Sequence, residues 1–211
     1  MCVTEAGQGR VAAVELLASL DAYAPSPGVE AADVDRVRVL AATADPWARD
    51  TPLHVTGSAI VLDPPARRVL LRWHERMDSW LHVGGHVDPG ESGPLAAARR
   101  EAREETGLTD LVPWPDPDRP RIVHVAVVPV PAGRGEPAHE HADVRYVLST
   151  ARAGEIVPES PAARLRWLTI DEAVVAVSEG NVRETLGRVR ALLDGTGPGR
   201  PSGSTSRSRR G

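Results

Sequence analysis

Three neighbouring glutamates are the residues of this sequence best placed to do chemistry. Glu101, Glu104 and Glu105 lie in an Ala-rich segment that predicts a helix, Leu95 to Thr106, ended by a glycine. At about 100° per residue, positions i, i+3 and i+4 project from one side of a helix. Neighbouring carboxylates repel one another, and the helix dipole disfavours anions near the C-terminal end. Because a bound cation would offset this repulsion, the three glutamates predict a divalent-cation site. Their hard oxygen ligands favour Mg²⁺ or Mn²⁺ over Zn²⁺.

The alternative is a solvated acidic face whose charge is offset by arginines of the same helix. These arginines are Arg99, Arg100 and Arg103. A loop ahead of the helix favours the cation site instead. Gly84, Gly85 and Gly90 lie in it, and glycines let a backbone turn sharply and approach a ligand. Glu91 follows in the same loop, close enough to reach back toward the helix carboxylates.

The order and spacing of these residues resemble the Nudix box of the Nudix hydrolases. That pattern is a glycine, five residues, a glutamate, seven residues, Arg-Glu, an apolar residue, any residue, Glu-Glu, any residue, a glycine and an apolar residue. Gly85 and Glu91 have the required spacing, and the run REAREETGL from Arg100 to Leu108 matches throughout. One departure is that eight residues separate Glu91 from Arg100, and we place the extra residue in the loop Ser92 to Pro94.

The resemblance implies a fold and a reaction. The fold is α/β (α+β), a Nudix-type α/β/α sandwich with a mixed sheet, in which the box forms a loop, a helix and a loop. The reaction is the attack of water on a diphosphate linkage in a nucleoside diphosphate joined to another group. A diphosphate is polyanionic, so a divalent metal is needed to neutralise it and to activate the water. The implied class is a hydrolase acting on acid anhydrides.

The resemblance also assigns roles to residues. The three helix glutamates are implied to bind the metal, and one of them to act as the general base. Arg100 is expected to pair with a carboxylate and fix its orientation. Gly85 is expected to offer its backbone carbonyl to the metal, and Glu91 is a further candidate ligand.

Five basic side chains are candidates for contacts with substrate phosphate. They are His86, His139, His141, Arg72 and Arg145. His139, His141 and Asp143 lie on one side of a strand if the predicted strand at 144–149 begins earlier, and otherwise they belong to a polar loop. A His-x-His pair could also bind Zn²⁺, but no third ligand is evident nearby in the sequence. For Arg72 and Arg145, the alternative to a forked contact with phosphate is ion pairing at the surface.

Hydrophobic periodicity predicts the elements that must position these residues. The predicted helices span 11–23, 30–43, 95–106, 171–178 and 183–193. The predicted strands span 54–62, 68–73, 80–83, 121–130, 144–149 and 165–169. The first two strands are expected to form a hairpin. Because strands outnumber helices in the middle and one helix interrupts them, a mixed sheet is favoured.

Composition divides the 211 residues into three parts. Residues 1–50 are an expected N-terminal helical arm, 51–195 the Nudix hydrolase domain and 196–211 a Gly/Ser/Arg tail expected to be disordered. The tail carries four Arg and no acid, so the net charge of −4 conceals a charge of −8 on residues 1–195. An acidic body argues against nucleic acid as the main partner.

Composition also excludes several classes of protein. The single cysteine, Cys2, excludes a disulfide framework and a cysteine metal cluster. No apolar run approaches the roughly 20 residues of a membrane span, and no signal-peptide pattern begins the chain. We therefore expect a cytoplasmic protein without a membrane partner. The arm is expected to serve in packing or in dimerisation, which leaves a homodimer open.

Two other functions stay open at this point. One is a catalytically silent Nudix-fold module that binds nucleotide or regulates a partner, although every helix carboxylate of the box is present. The other is an acidic α/β protein that binds metal only for structure. A nucleoside triphosphate, a dinucleotide, a nucleotide sugar and a non-nucleoside pyrophosphate all agree with the box. Loops at 113–120 and 133–143 are expected to select among them.

Overall fold

Eight strands form one mixed sheet in the computed structural model, which describes residues 5–133 and 135–196. The strands are β1 (Leu53–Asp63), β2 (Arg68–His74), β3 (Ser79–Leu81), β4 (Val83–His86), β5 (Val112–Pro113), β6 (His124–Val130), β7 (His139–Ser149) and β8 (Leu165–Thr169). The helices are α1 (Glu5–Asp21), α2 (Val29–Thr43), α3 (Pro94–Thr106), α4 (Ile170–Ala176) and α5 (Gly180–Leu193). A short 3-10 turn spans Ala153–Glu155.

The sheet is organised around β1, which pairs with three other strands. One edge of β1 runs parallel to β7, with Leu53 opposite Glu140 and Leu62 opposite Ser149. Two strands share the other edge of β1. The strand β4 pairs antiparallel with Thr56–Ala59, and β2 pairs antiparallel with the residues from Val61 onward. The sheet therefore divides beside β1, and the glycine-rich strand β4 lies at the division.

Side chains of β1 alternate between two hydrophobic cores, one on each face of the sheet. Val55, Ala59 and Val61 join a core that includes residues of α1, α2 and α3. Ile60 and Leu62 join a core that includes residues of α4 and α5. Helices thus cover both faces of a mixed sheet, and the predicted α/β/α sandwich is confirmed.

The N-terminal arm packs onto the sheet and covers one of its edges. Apolar side chains of α1 and α2 are buried in the first core, namely Leu16, Leu20, Val34 and Val37. The edge strand β6 donates the backbone N–H of Val125 to Glu30 (3.1 Å) and that of Val127 to Asp33 (2.9 Å). Carboxylates of α2 thereby satisfy donors that an open sheet edge would expose. The packing role expected of the arm agrees with these contacts, whereas a homodimer stays a prediction.

Several element boundaries differ from those predicted. The helix α1 begins at Glu5 rather than at residue 11, and α5 begins at Gly180 rather than at residue 183. The expected strand at 80–83 is two strands, because β3 pairs with β2 whereas β4 pairs with β1. The strand β6 begins at His124 rather than at residue 121. The strand β7 begins at His139, five residues before the predicted start, so the polar-loop alternative for that segment is wrong. Parallel pairing with the start of β1 extends β7 into this polar segment.

Two further predictions lie outside the described residues. They concern Cys2 and residues 197–211 of the predicted tail. The boundaries of the arm and of the domain stay predictions.

Glu30 joins the arm, the sheet and the last helix. Its buried carboxylate accepts hydrogen bonds from Arg188 of α5 at 2.8 Å and 2.5 Å, and from the hydroxyl of Tyr23. Burial would raise the pKa of Glu30, but the hydrogen bonds from Arg188 and Tyr23 outweigh it and lower the pKa to about 2. His124 lies 3.9 Å from the same carboxylate.

We predict that Glu30→Gln lowers the free energy of unfolding by up to about 3 kcal/mol near pH 7. A lowered pKa in the folded state contributes stability above the unfolded pKa of about 4.5, and that stability is lost as the pH falls toward 2. The difference in free energy of unfolding between wild type and Glu30→Gln should therefore decrease from pH 5 to pH 2. Urea unfolding at a series of pH values measures this difference, with Glu15→Gln on α1 as control. A gap that does not change with pH contradicts the prediction.

Candidate active site

Arg100 forms hydrogen bonds with both the loop and the helix of the glutamate-rich segment. Its guanidinium donates to Glu91 (3.0 Å), Glu101 (2.8 Å) and Glu104 (3.1 Å), and to the backbone carbonyl of His86 (2.8 Å). Burial disfavours the charged form of Arg100, but the hydrogen bonds with Glu91 and Glu101 outweigh it and raise its pKa above the usual range. One cation therefore holds three carboxylates that would otherwise repel one another.

Glu91 is held inside the junction between loop and helix. Besides the contact with Arg100, its carboxylate accepts the backbone N–H of Asp88 at 2.7 Å. The carboxylate of Asp88 pairs in turn with Arg49 (2.5 Å) and with Arg100 (3.3 Å). The extra residue of the loop thus leaves Glu91 in contact with the helix. A metal-ligand role for Glu91 stays a prediction, and its contacts within the protein favour a positioning role.

Gly85 lets the loop approach Glu101. A Cβ atom at position 85 would overlap the carboxylate of Glu101, so any other residue would displace that side chain or the strand. On its other edge, Gly85 pairs with Gly57 of β1. A Cβ at Gly57 would overlap the backbone of Pro94, where α3 begins. These two glycines allow α3 to pack against β1 and β4.

Glu105 is a buried carboxylate. Residues 98, 102 and 105 lie on one face of α3, and Ala98 and Ala102 are packed in the first core. Burial is the main cause that raises the pKa of Glu105 to about 8, and Arg72 opposes it. Atom Nε of Arg72 lies 3.6 Å from Oε2 of Glu105, beyond hydrogen-bond distance. That oxygen has no hydrogen-bond partner among the described residues.

A cleft of about 620 Å³ opens beside these carboxylates. Gly85, which touches Glu101, and Arg72, which faces Glu105, both line it. The remaining wall carries three of the other predicted phosphate contacts, His86, His141 and Arg145. Residues 128–131, 160, 162 and 163 contribute to the wall, whereas the loop at 113–120 does not.

Arg145 is buried rather than paired at the surface. It donates to Asp143 (2.7 Å), to the side chain of Asn181 (2.7 Å) and to Thr185 (2.9 Å). The surface-pairing alternative for Arg145 is therefore wrong, since the residue is only 1% exposed. Most of its N–H donors are engaged within the protein, so its contact with phosphate stays a prediction. Arg72 forms an ion pair with Glu159 and lies opposite Glu105.

Asp143 forms a second buried centre in the cleft. Its carboxylate accepts hydrogen bonds from Thr56 (3.1 Å), Ser58 (2.7 Å) and Arg145, and lies 3.1 Å from Nε2 of His82. Burial would raise the pKa of Asp143, but Arg145 and His82 lower it far below the usual range. A permanently charged carboxylate thus orients the polar face of β1 and β7.

Four histidines converge at one end of the same face, and we name them the histidine cluster. They are His54 of β1, His86 of β4, and His139 and His141 of β7. Their ring centroids lie 4.9–5.2 Å apart in five of the pairs. The structure thus brings three of the predicted phosphate contacts together and adds His54, a residue that the sequence did not single out.

A sequence model of the NUDIX domain matches residues 52–186. The chain belongs to the Nudix family. The match spans the sheet from β1, the box helix α3 and the start of α5, so the family expected from the box is confirmed.

One curated relative and two solved structures resemble this Nudix chain. The relative, the 8-oxo-(d)GTP phosphatase of Mycolicibacterium smegmatis, is 30% identical over 125 residues, which are 59% of the chain and 34% of the relative. The chain therefore spans about one third of that relative's length. A Nudix hydrolase of Clostridium perfringens is 25% identical, with a TM-score of 0.50 over 67% of the chain and 96% of the neighbour. The Ap4A hydrolase of C. elegans, 18% identical, shares the fold with a TM-score of 0.52 over 67% and 98%.

None of the described helices could span a membrane. Within residues 5–133 and 135–196, no helix combines the length and apolar character needed to cross a bilayer.

The sequence does not single out Ser58 or His54, and it places Asp143 beside the two histidines only on a condition. Alternation from His139 along β7 places Asp143 on the cleft face, but only once the strand is known to begin there. Ser58 and His54 reach that face through the parallel pairing of β1 with β7. The residues that pair lie more than eighty positions apart, and no local pattern reports such a pairing.

We predict that Arg100→Ala lowers the free energy of unfolding of the Nudix domain by roughly 2–4 kcal/mol, because it leaves the box carboxylates without their shared cation. Arg103→Ala, on the same helix but with an exposed side chain, should change it by less than about 0.5 kcal/mol. Denaturant unfolding without added divalent metal measures both. Equal effects of the two substitutions would show that Arg100 does not organise the junction.

Proposed function

We propose that the chain hydrolyses a diphosphate linkage in a small phosphoanhydride substrate and that Glu101, Glu104 and Glu105 hold the Mg²⁺ or Mn²⁺ that this requires. The observation that carries the proposal is the orphaned oxygen of Glu105. A buried carboxylate oxygen without a hydrogen-bond partner is costly unless a cation satisfies it. Two further glutamates lie on the same side of the helix.

The donor set fits a hard divalent ion. Carboxylate oxygens, with the backbone carbonyl of Gly85 as an expected addition, are the ligands that Mg²⁺ and Mn²⁺ prefer. Arg100 holds Glu101 and Glu104 in place without occupying Glu105. The guanidinium of Arg72 lies 3.6 Å from Glu105, where it favours the charged form of that carboxylate without donating a hydrogen bond to it.

The metal, when bound, neutralises the diphosphate and activates the attacking water. Water adds to one phosphorus, the bridging P–O bond breaks, and a glutamate of the box accepts the proton that the water loses. Arg100 acts by orienting Glu101 and Glu104. Arg72 and Arg145 on the cleft wall bring positive charge near the substrate phosphates. The predicted contacts of His86, His139 and His141 with phosphate are not required for this step.

The substrate we favour is a nucleotide. The cleft wall includes apolar side chains, among them Trp73, Leu81 and Val128, that could pack against a base. The name of the mycobacterial relative makes 8-oxo-dGTP the first substrate to test. A location in the cytoplasm and a homodimer stay predictions.

A substrate panel tests the proposal. We expect Mg²⁺-dependent release of phosphate or pyrophosphate from at least one of 8-oxo-dGTP, dGTP, a dinucleoside polyphosphate, a nucleotide sugar and a non-nucleoside pyrophosphate. Glu105→Gln should lower kcat at least about a hundredfold, because it removes a metal-binding charge. Glu15→Gln, a substitution on the arm, should leave kcat unchanged.

The panel also separates the alternative. If wild type and Glu105→Gln release the same background amount from every substrate, the hydrolase proposal is wrong. Nucleotide-dependent increases in Tm without turnover would then identify a silent binding module.

A further inference from the structure

The histidine cluster lies apart from the box carboxylates, and the four side chains that define it are all imidazoles. Atoms Nε2 of His54 and His86 are 3.1 Å apart, and so are atoms Nε2 of His139 and His141. Ring nitrogens of His54, His139 and His141 all lie within 4.8 Å of one another. Ring nitrogens of three histidines therefore lie close enough together to share one ion, and His86, beside His54, is a further candidate ligand.

We propose that the histidine cluster is a second metal site, which binds a late first-row transition-metal ion such as Zn²⁺ in preference to Mg²⁺. Two nitrogen ligands of a tetrahedral Zn²⁺, each about 2.0–2.1 Å from the metal, lie roughly 3.3–3.4 Å apart. The 3.1 Å separations within the two pairs and the limit of 4.8 Å among His54, His139 and His141 bracket that value, so movements of the rings complete the geometry.

The surroundings of His139 orient it as a metal ligand. Its Nδ1 lies 2.9 Å from the backbone carbonyl of Pro137, and a carbonyl oxygen can only accept. Nδ1 must therefore carry a proton, which leaves the lone pair of Nε2 directed into the cluster. Metal-binding histidines commonly make this contact with a carbonyl.

The character of the rings favours a metal over an anion. Burial is the main cause that lowers the pKa of His54 and lowers that of His141 to about 4, and neighbouring histidines add to it. Rings that are neutral near pH 7 offer lone pairs to a metal and little positive charge to phosphate. Imidazole nitrogen suits Zn²⁺, Cu²⁺, Ni²⁺ and Co²⁺, whereas Mg²⁺ prefers oxygen.

Such an ion would clamp three strand ends beside the box. The cluster joins the beginnings of β1 and β7 to the end of β4. His86 is the last residue of β4, and its carbonyl accepts the hydrogen bond from Arg100. The clamp would thus fix the backbone from which the catalytic loop departs. This inference does not depend on the hydrolase proposal, since it uses different ligands.

Titration with Co²⁺, an absorbing substitute for Zn²⁺, tests the site in the full chain without an affinity tag. We expect about one equivalent to give the visible bands of a tetrahedral site, and Zn²⁺ to abolish them. His139→Gln and His141→Gln, prepared separately, should each weaken binding at least about tenfold. His74→Asn is the matched control, because His74 lies outside the cluster and Asn can still accept the backbone N–H of Met77.

Two results would overturn the inference. One is the absence of stoichiometric Co²⁺ and Zn²⁺ binding to folded wild-type protein. The other is binding that both glutamine variants retain in full, although circular dichroism shows them folded. Glu105→Gln distinguishes the two proposals, since it should lose the increase in Tm that Mg²⁺ produces and keep the Co²⁺ bands. If wild-type protein gives the Co²⁺ bands but hydrolyses no substrate, the second metal site is supported and the hydrolase proposal is wrong.

Discussion

Repulsion among carboxylates around Arg100 is the constraint on which the rest of the site depends. Three glutamates contact this single guanidinium, while Glu105 remains buried without a hydrogen bond to it. The close approach of Gly85 to Glu101 and the hydrogen bond from Arg100 to the His86 carbonyl join the helix to the end of β4. The loop, the helix and the sheet edge are thus held by one network of charge.

The division of the sheet beside β1 determines where the cleft can form. The strands β4 and β2 pair with different parts of the same edge of β1, so the sheet is interrupted between them. Thr56 and Ser58 of β1 donate to Asp143 of β7, and that carboxylate holds Arg145. The same face therefore carries a buried ion pair in its middle, the histidine cluster at one end and the box carboxylates at its edge.

Local elements were predicted well, and pairings distant in sequence were not. The limits of α3 were expected to within one residue, because helical spacing and Gly107 in the left-handed conformation (φ 71°) are local signals. The start of β7 was missed, since polar residues become strand there only through pairing with β1. The sequence leaves Arg145 between a phosphate contact and a surface ion pair and does not indicate its burial, because its partners Asn181 and Thr185 lie on a helix that comes much later in the chain.

The sequence by itself determined the family and the carboxylate group, because the spacing within a box of about 25 residues places side chains on a helix without help from the rest of the chain. Only the tertiary structure decided that Glu105 is buried, that Arg145 pairs with Asp143, and that His54 joins the other histidines. Those facts depend on which strands lie side by side. Strand pairing is set by the packing of two cores on opposite faces of the sheet, and residues far apart in sequence contribute to both.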